Sequence, residues 1–339
     1  MARVAILLLN YNGAQHLQRF LPSVIAHSTG YDIIVGDNKS TDNSLALLKS
    51  NFPEVNVIAL AENYGYAGGY NRLIEQIDHE YVVLLNSDVE VTPNWVEPML
   101  ATLCRHQKAV AVQPKILSVA HRQRFEYAGA GGGYLDQYGY PFCRGRIFGT
   151  LEEDHGQYDD EQEIFWASGA CFMLKRAVFN ETGGFDADFF AHMEEIDLCW
   201  RLQQAGYKIF YTGKSTVYHL GGGTLNYQSP HKTYLNYRNG WMMLLKNLPA
   251  TGRAGTLASR WLLDLLSIIF YLVQFQAGNA LAVLRAHFYL LARRRLITAK
   301  QQEVRNISGG RQPIYPLPIA LVWQYFIKRK RKFSDLIPN

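Results

Sequence analysis

Along the first 115 residues, apolar runs alternate with stretches in which apolar residues return every third or fourth position. The runs fall at 4–9, 33–35, 55–60 (interrupted only at Asn56) and 81–85, each short and rich in Val, Ile and Leu, as strands buried on both faces of a parallel sheet are. Between them Leu17, Phe20, Leu21, Val24 and Ile25, then Leu45 and Leu48, then Leu73, Ile74 and Ile77 recur at helical spacing. This alternation predicts an α/β fold: a doubly wound, mixed but mostly parallel sheet with helices on both faces. After the fourth run, Thr92 and Pro93 predict a helix start, as N-cap and first helical residue. Residues 118–163 break both periodicities and predict a long irregular loop that shapes a pocket or covers it. Order resumes with a strand expected at 164–170, an apolar run at 171–174, and a helix whose inner face is Ile196, Cys199, Trp200 and Leu202, closed by Gly206.

Every predicted strand ends in polar residues: Asn10-Tyr11-Asn12-Gly13, then Asp37-Asn38-Lys39-Ser40-Thr41-Asp42, then Asn63, then Asn86-Ser87-Asp88. Loops at that edge of a doubly wound sheet converge on one crevice. There Asp37 can accept a hydrogen bond from a base N–H while Asn10 and Tyr11 frame the ring. Gly68-Gly69 would let backbone N–H groups reach a phosphate at a helix N-terminus, although they match neither standard phosphate-loop pattern. Asp88 is either a turn cap or a ligand-facing carboxylate. Glu194 and Glu195 open a helix, where acids complement the dipole or, facing the crevice, one serves as general base. His219 ends a strand before three glycines, a place for a structural hydrogen bond or a metal ligand.

Composition adds a division. Residues 251–339 hold 14 Lys/Arg against 3 Asp/Glu, a net of +11, whereas the preceding 250 hold 20 against 26, a net of −6. The expected organisation is therefore a catalytic domain at 1–250, with halves at about 1–115 and 116–250, and a basic, apolar helical appendage at 251–339. Cys104, Cys143, Cys171 and Cys199 form no CxxC pair, which argues against structural zinc and fits a reducing compartment. The apolar run at 4–9 is too short for a secretory signal, so a cytoplasmic location is expected.

In the appendage, Arg260, Asp264, Ser267, Tyr271 and Gln274 draw one narrow polar stripe on an otherwise apolar helix. Further apolar segments at 280–292 and 319–327 end in Arg293-Arg294-Arg295 and Lys328-Arg329-Lys330-Arg331-Lys332. Neither long segment offers a clean span of roughly 20 apolar residues. Helices lying on an anionic membrane surface fit better; packing on the catalytic domain or on a second copy in a homodimer is the alternative. Nucleic acid is disfavoured because the basic clusters terminate apolar helices.

Taken in order, Leu9-Asn10-Tyr11-Asn12-Gly13, Asp37 to Asp42, Asn63-Tyr64-Gly65-Tyr66-Ala67-Gly68-Gly69, Asn86-Ser87-Asp88, Trp166-Ala167-Ser168-Gly169-Ala170, Glu194-Glu195-Ile196-Asp197-Leu198-Cys199-Trp200-Arg201 and His219-Leu220-Gly221-Gly222-Gly223 form a recognisable series. The pattern over residues 3–245 resembles glycosyltransferase family 2, in particular its bacterial rhamnosyltransferase-like members. The resemblance implies a GT-A fold and an inverting, metal-dependent transfer of a sugar, L-rhamnose among the candidates, from a UDP- or dTDP-sugar to a glycan or lipid-linked hydroxyl in cell-surface polysaccharide synthesis. It implies that Asn10, Tyr11, Asn12, Asp37, Asn38, Asn63, Gly68, Gly69, Asn71, Asn86, Ser87 and Asp88 line the nucleotide-sugar side, and Trp166, Ser168 and Gly169 the acceptor side. Asp88 and His219 would hold Mn²⁺ or Mg²⁺, with Glu90 beyond the motif's register. The base falls at Glu195, with Glu194 next to it. The family's DxD motif begins with Asn86 here, so one carboxylate is missing from it.

That departure supports a second reading, a nucleotide-binding scaffold or regulatory protein without turnover. A nucleotidyltransferase is a third, disfavoured because Asn10-Tyr11-Asn12-Gly13 stands where a Gly- and Arg/Lys-rich loop belongs.

Overall fold

A computed structural model describes residues 3–221, 229–251 and 253–337. Its elements run β1 Val4–Asn10, α1 Ala14–His27, β2 Asp32–Asp37, α2 Ser44–Asn51, β3 Asn56–Ala59, α3 Gly65–Glu75, β4 Tyr81–Asn86, β5 Val89–Val91, α4 Val96–Arg105 and β6 Ala109–Ser118. There follow β7 Gly133–Leu135, β8 Pro141–Cys143, β9 Arg146–Ile147, β10 Thr150–Leu151, β11 Glu161–Ile164, β12 Cys171–Lys175, α5 Arg176–Glu181, α6 Glu194–Gln204 and β13 Lys208–His219. The remainder is helical: α7 Pro230–Asn247, α8 Arg253–Val273, α9 Ala277–Ala292, α10 Arg294–Ser308 and the short α11 Phe333–Leu336.

The main sheet has the order β11-β13-β6-β12-β4-β1-β2-β3, with β5 added on β13. Pairs β1–β2, β1–β4, β2–β3 and β6–β13 are parallel, whereas β12 runs antiparallel between β4 and β6. It is thus a mixed, mostly parallel sheet with helices on both faces. Period-2 alternation sorts β1 between two cores: Ala5 and Leu7 join Leu73, Ile74 and Trp200, while Val4, Ile6 and Leu8 join Leu17, Leu21 and Met99. Truncating one such fully buried leucine to Ala costs about 2–5 kcal/mol.

Several local expectations are corrected. Residues 89–91 pair with the end of β13 before any helix begins, and Thr92 donates its hydroxyl to the Thr216 carbonyl (2.7 Å), so α4 starts at Val96. The stretch 118–163 is not structureless: β7 to β10 form a four-stranded antiparallel sheet. The strand expected at 164–170 is β11, ending at Ile164. Beyond it, side chains take the ladder's place: Gln113 Oε1 accepts the Ser168 N–H (2.8 Å) and Cys199 Sγ that of Ala167 (3.4 Å).

The C-terminal residues are knitted into this body. Helix α7 packs on α6, α9 and α10, and α8 packs on α9. Residues after α10 return to the small sheet, where Asp136 Oδ2 accepts the Leu321 N–H (2.9 Å) and Phe333 lies against Tyr134, ring centres 5.2 Å apart.

Candidate active site

The strand ends meet as predicted, and most of their polar groups hold one another. Buried Asp37 accepts from Asn10 Nδ2 (3.3 Å) and from the Ser40 N–H (2.9 Å). Asn12 Oδ1 accepts the Thr41 N–H (2.7 Å), and Asn38 ties Asn63 Oδ1, the Gly65 carbonyl and the Tyr64 N–H together, each at 3.0 Å. Tyr11 is left 41% exposed at the rim, with its ring free to cover a base. Gly68 and Gly69 lie in the first turns of α3, where a Cβ on Gly69 would fall 2.7 Å from Leu9, so Gly69 also lets the helix approach β1. One expectation is corrected. Asn71 spends its amide on the backbone of Phe185, donating to the carbonyl (2.8 Å) and accepting from the N–H (2.9 Å).

On the other side of β4, Asp88 and His219 meet. Nε2 of His219 stands 3.1 Å from Asp88 Oδ1, and Nδ1 stands 3.1 Å from Oε2 of Glu126, a residue absent from the sequence expectations. All three are buried. The strand pairing that places β5 on β13 creates this contact, and the Leu220 N–H seals it on the Asp88 carbonyl (3.0 Å). Burial by itself would push the imidazole down, but the two carboxylates outweigh it and raise His219 to about 10. Burial likewise works to raise Asp88, and the His219 charge and hydrogen bond hold it below its ordinary value. Glu90 is occupied elsewhere, gripping Arg122 through both oxygens at 2.6 and 2.7 Å. Gly222 and Gly223 lie outside the described residues.

The residues expected on the acceptor side, Trp166, Ser168 and Gly169, lie in the segment that reaches Glu195 through the Gly169 backbone. Trp166 is buried and donates its indole N–H to the Tyr134 carbonyl (2.9 Å). Ser168 donates to the Ala128 carbonyl and accepts the Ala170 N–H (3.1 Å). The Gly169 carbonyl accepts from the Tyr66 hydroxyl (2.6 Å), while its N–H is turned to the Glu195 carboxylate. These bonds join the two clusters: the Asn86 N–H reaches the Ala170 carbonyl (2.9 Å), and the Ala128 N–H reaches Glu126 Oε2 (2.6 Å).

Glu194 and Glu195 open α6 as expected, and each leaves Oε2 without a hydrogen-bond partner. Burial raises Glu195 to about 7, against backbone N–H groups that pull it down; burial and then the Glu195 charge push Glu194 higher still. The loop before them is held in a costly shape, with left-handed φ at Phe190 (64°), His192 (71°) and Met193 (71°). Two α7 residues that the sequence reading missed impose it. Asn239 Nδ2 donates to the carbonyls of Phe189 (3.0 Å), Ala191 (2.8 Å) and His192 (2.7 Å), and Arg238 Nη2 to those of Asp188 (2.9 Å) and Phe189 (2.8 Å). Below them Lys246 pairs with Asp186 (2.7 Å) and Asp197 (2.9 Å), and Lys300 of α10 with Asp186 (2.6 Å).

Among the described residues no group of three or more His, Cys, Asp or Glu is arranged to hold a metal ion. Asp88 and His219 nonetheless fit as two ligands of a hard or borderline cation: a carboxylate and the Nε2 of an imidazole converge at 3.1 Å, with Glu126 behind the ring at Nδ1.

Comparison with known proteins bears on this arrangement. The glycosyl transferase family 2 model matches residues 5–183, more than half of the chain. The N-acetylglucosaminyl-diphospho-decaprenol L-rhamnosyltransferase of Mycobacterium tuberculosis is 28% identical over 230 residues, covering 63% of this chain and 75% of that protein. The low-salt glycan biosynthesis hexosyltransferase Agl10 of Haloferax volcanii is 22% identical, covering 70% and 73%. In fold, the chain is similar to GalNAc-T7 solved with UDP, GalNAc and Mn²⁺ (TM-score 0.57, 17% identity, 74% of this chain and 49% of that one). It is also similar to the mannosyltransferase PcManGT of Pyrobaculum calidifontis solved with GDP-Man and Mn²⁺ (TM-score 0.52, 13% identity, 97% and 88%). With a GT-A sheet, a helical C-terminal region and a family model spanning residues 5–183, the chain belongs to glycosyl transferase family 2.

Proposed function

We propose that the protein is an inverting glycosyltransferase that moves a sugar, L-rhamnose or another hexose, from a UDP- or dTDP-sugar to a hydroxyl of a lipid-linked glycan at the cytoplasmic side of a membrane. The observation that carries the reading is Glu195: a carboxylate raised to about 7, with one oxygen unpartnered, fixed at a helix start beside the strand-end crevice. A general base is most effective when its pKa lies near the working pH. The rhamnosyltransferase and hexosyltransferase relatives support the reaction class, and the diphospho-decaprenol in one relative's name supports the acceptor class.

In this reading residues 1–115 hold the nucleotide half of the donor. Asp37 keeps an acceptor lone pair for a base N–H, and Tyr11 covers the ring. Residues 116–250 carry the acceptor half. Glu195 takes the proton from the acceptor hydroxyl, and the oxygen attacks the anomeric carbon from the face opposite the diphosphate. The bond from that carbon to the phosphate oxygen breaks, and one displacement inverts the centre. Asp88 and His219 would hold Mn²⁺ or Mg²⁺, which when bound offsets the charge gathering on the leaving diphosphate. Glu126 orients His219 from behind, so Asp88 can stand without the second carboxylate that Asn86 has removed.

The test is Glu195→Gln. Turnover, followed as release of nucleoside diphosphate, is expected to fall by on the order of 10²–10⁴-fold, while UDP or dTDP still raises the melting temperature in the presence of Mn²⁺. Unchanged turnover would refute the assignment. Pyrophosphate release would indicate a nucleotidyltransferase, and nucleotide binding without product would indicate a scaffold.

A further inference from the structure

Helix α8 is turned inside out compared with a helix of a water-soluble domain. Its polar stripe faces the protein: Arg260 and Asp264 are buried, and Asp264 accepts from Trp241 Nε1 of α7 (2.5 Å) and from Arg260 Nε (3.0 Å), with His287 Nε2 of α9 at 3.2 Å. Arg260 also donates to the Tyr138 carbonyl (3.0 Å). The apolar side faces outward. Leu262, Leu266, Ile269 and Val273 follow one another at helical spacing and are 57%, 60%, 56% and 69% exposed. On the adjoining α9, Leu281, Leu284, Phe288 and Leu291 form a second outward row, and Phe275 between the helices is 97% exposed. A further exposed apolar group, Trp323, Phe326 and Ile327, lies in the C-terminal segment, which Phe148 and Tyr140 tie to the buried Arg260 on the inner side of α8.

A contiguous apolar face of this kind requires a cover. Its rim indicates which. Arg293, Arg294 and Arg295 follow α9, and Lys328 and Arg329 follow the exposed aromatic turn, all five on the surface. Two copies of the chain meeting through this face would bring like charges together, whereas an anionic lipid surface matches both the apolar floor and the cationic rim. Helix α8 has the length and mean hydropathy of a membrane span (21 residues, 1.6), yet only one side of it is free. Spanning would strip Arg260 and Asp264 of their partners inside hydrocarbon.

We infer that the outer faces of α8 and α9, with residues 323–327, seat the protein on an anionic bilayer as a monotopic surface, without crossing it. The inference stands apart from the enzymatic reading, since it uses none of the residues assigned to catalysis.

The experiment is co-sedimentation of the full chain with vesicles of phosphatidylcholine, with and without phosphatidylglycerol. Binding is expected to be strongest with phosphatidylglycerol, and weakened but not abolished by salt. The variant Leu262→Glu/Leu266→Glu/Ile269→Glu should bind at least about tenfold more weakly, with transfer to a short, water-soluble acceptor unchanged. Arg293→Glu/Arg294→Glu/Arg295→Glu should lose the preference for phosphatidylglycerol and retain weak binding to phosphatidylcholine. Equal sedimentation of wild type and the Leu/Ile variant would overturn the inference. So would a wild-type dimer in vesicle-free buffer that this variant converts to a monomer, because the face would then belong to a second copy. If the triple variant fails to fold, single Phe288→Glu and Leu291→Glu changes on α9 are read by the same criterion.

Discussion

The proposed nucleotide side, around Asp37, and the proposed base side, around Glu195, both hold buried polar residues, yet they treat hydrogen bonds in opposite ways. Around Asp37, the groups of Asn12, Asn38, Asn63 and Ser40 are spent on one another and on backbone, and only Asn10 Oδ1 is left without a partner. Across the sheet, Glu194 Oε2, Glu195 Oε2 and His192 Nε2 lack hydrogen bonds, and three residues before the helix hold left-handed φ. An unsatisfied buried polar atom costs about 1–3 kcal/mol, so the proposed base side carries more such cost than the proposed nucleotide side. In the proposed reading, the difference is that between a preformed cradle and a reactive centre kept open by its supports.

Those supports can be removed one at a time. The largest effect on stability is expected from Lys246→Met, which removes the cation shared by Asp186 and Asp197 and leaves only Lys300 on Asp186 and Arg201 on Asp197. Breaking a buried pair from one side costs about 3–5 kcal/mol, seen as a lower melting temperature and a smaller free energy of urea unfolding. Asn239→Ala should act on rate more than on stability. With the carbonyls of Phe189, Ala191 and His192 released, turnover should drop about 10²-fold while the donor's dissociation constant stays put; a parallel loss of both would mean the clamp is merely structural. On the nucleotide side, Asn12→Ala removes acceptor bonds to Thr41 and Asp42 and should cost about 1 kcal/mol of stability with turnover nearly unaffected. A reversed ranking of these rate effects would erase the distinction between the halves.

Glu195 itself gives a smaller, signed effect. Its folded pKa of about 7 lies above the ordinary value of 4.5, so the folded state favours the protonated form. Stability from this group is therefore fully present below 4.5 and is lost as pH rises through about 7. Glu195→Gln should melt above wild type at pH 8, with the gap closing toward pH 5.

Much of this was legible in the sequence because apolar runs end where strands end: Asn10, Asp37 and Asn86 each close their strand. What escaped was non-local. Val89–Val91 becomes a strand only because β13 passes beside it, more than 120 residues later. The small sheet of β7 to β10 has strands of two or three residues, too short to show a period. Gly68 and Gly69 carry a loop's composition but lie within α3, where Gly69 faces Leu9. Glu126, Arg238 and Asn239 carry no local signal at all, since their role is defined by the loop and the histidine they meet. Asp88, Glu195 and His219 were legible as residue types; that Glu126 and the 166–170 segment join them was not.

The central claim is that Glu195 takes the acceptor's proton, and the pH dependence of kcat/KM tests it most directly. Wild type should show an ascending limb with a midpoint near 7, and in Glu195→Gln that limb should vanish along with nearly all turnover. A limb that persists unchanged in the variant would assign the proton transfer to another group and contradict the account.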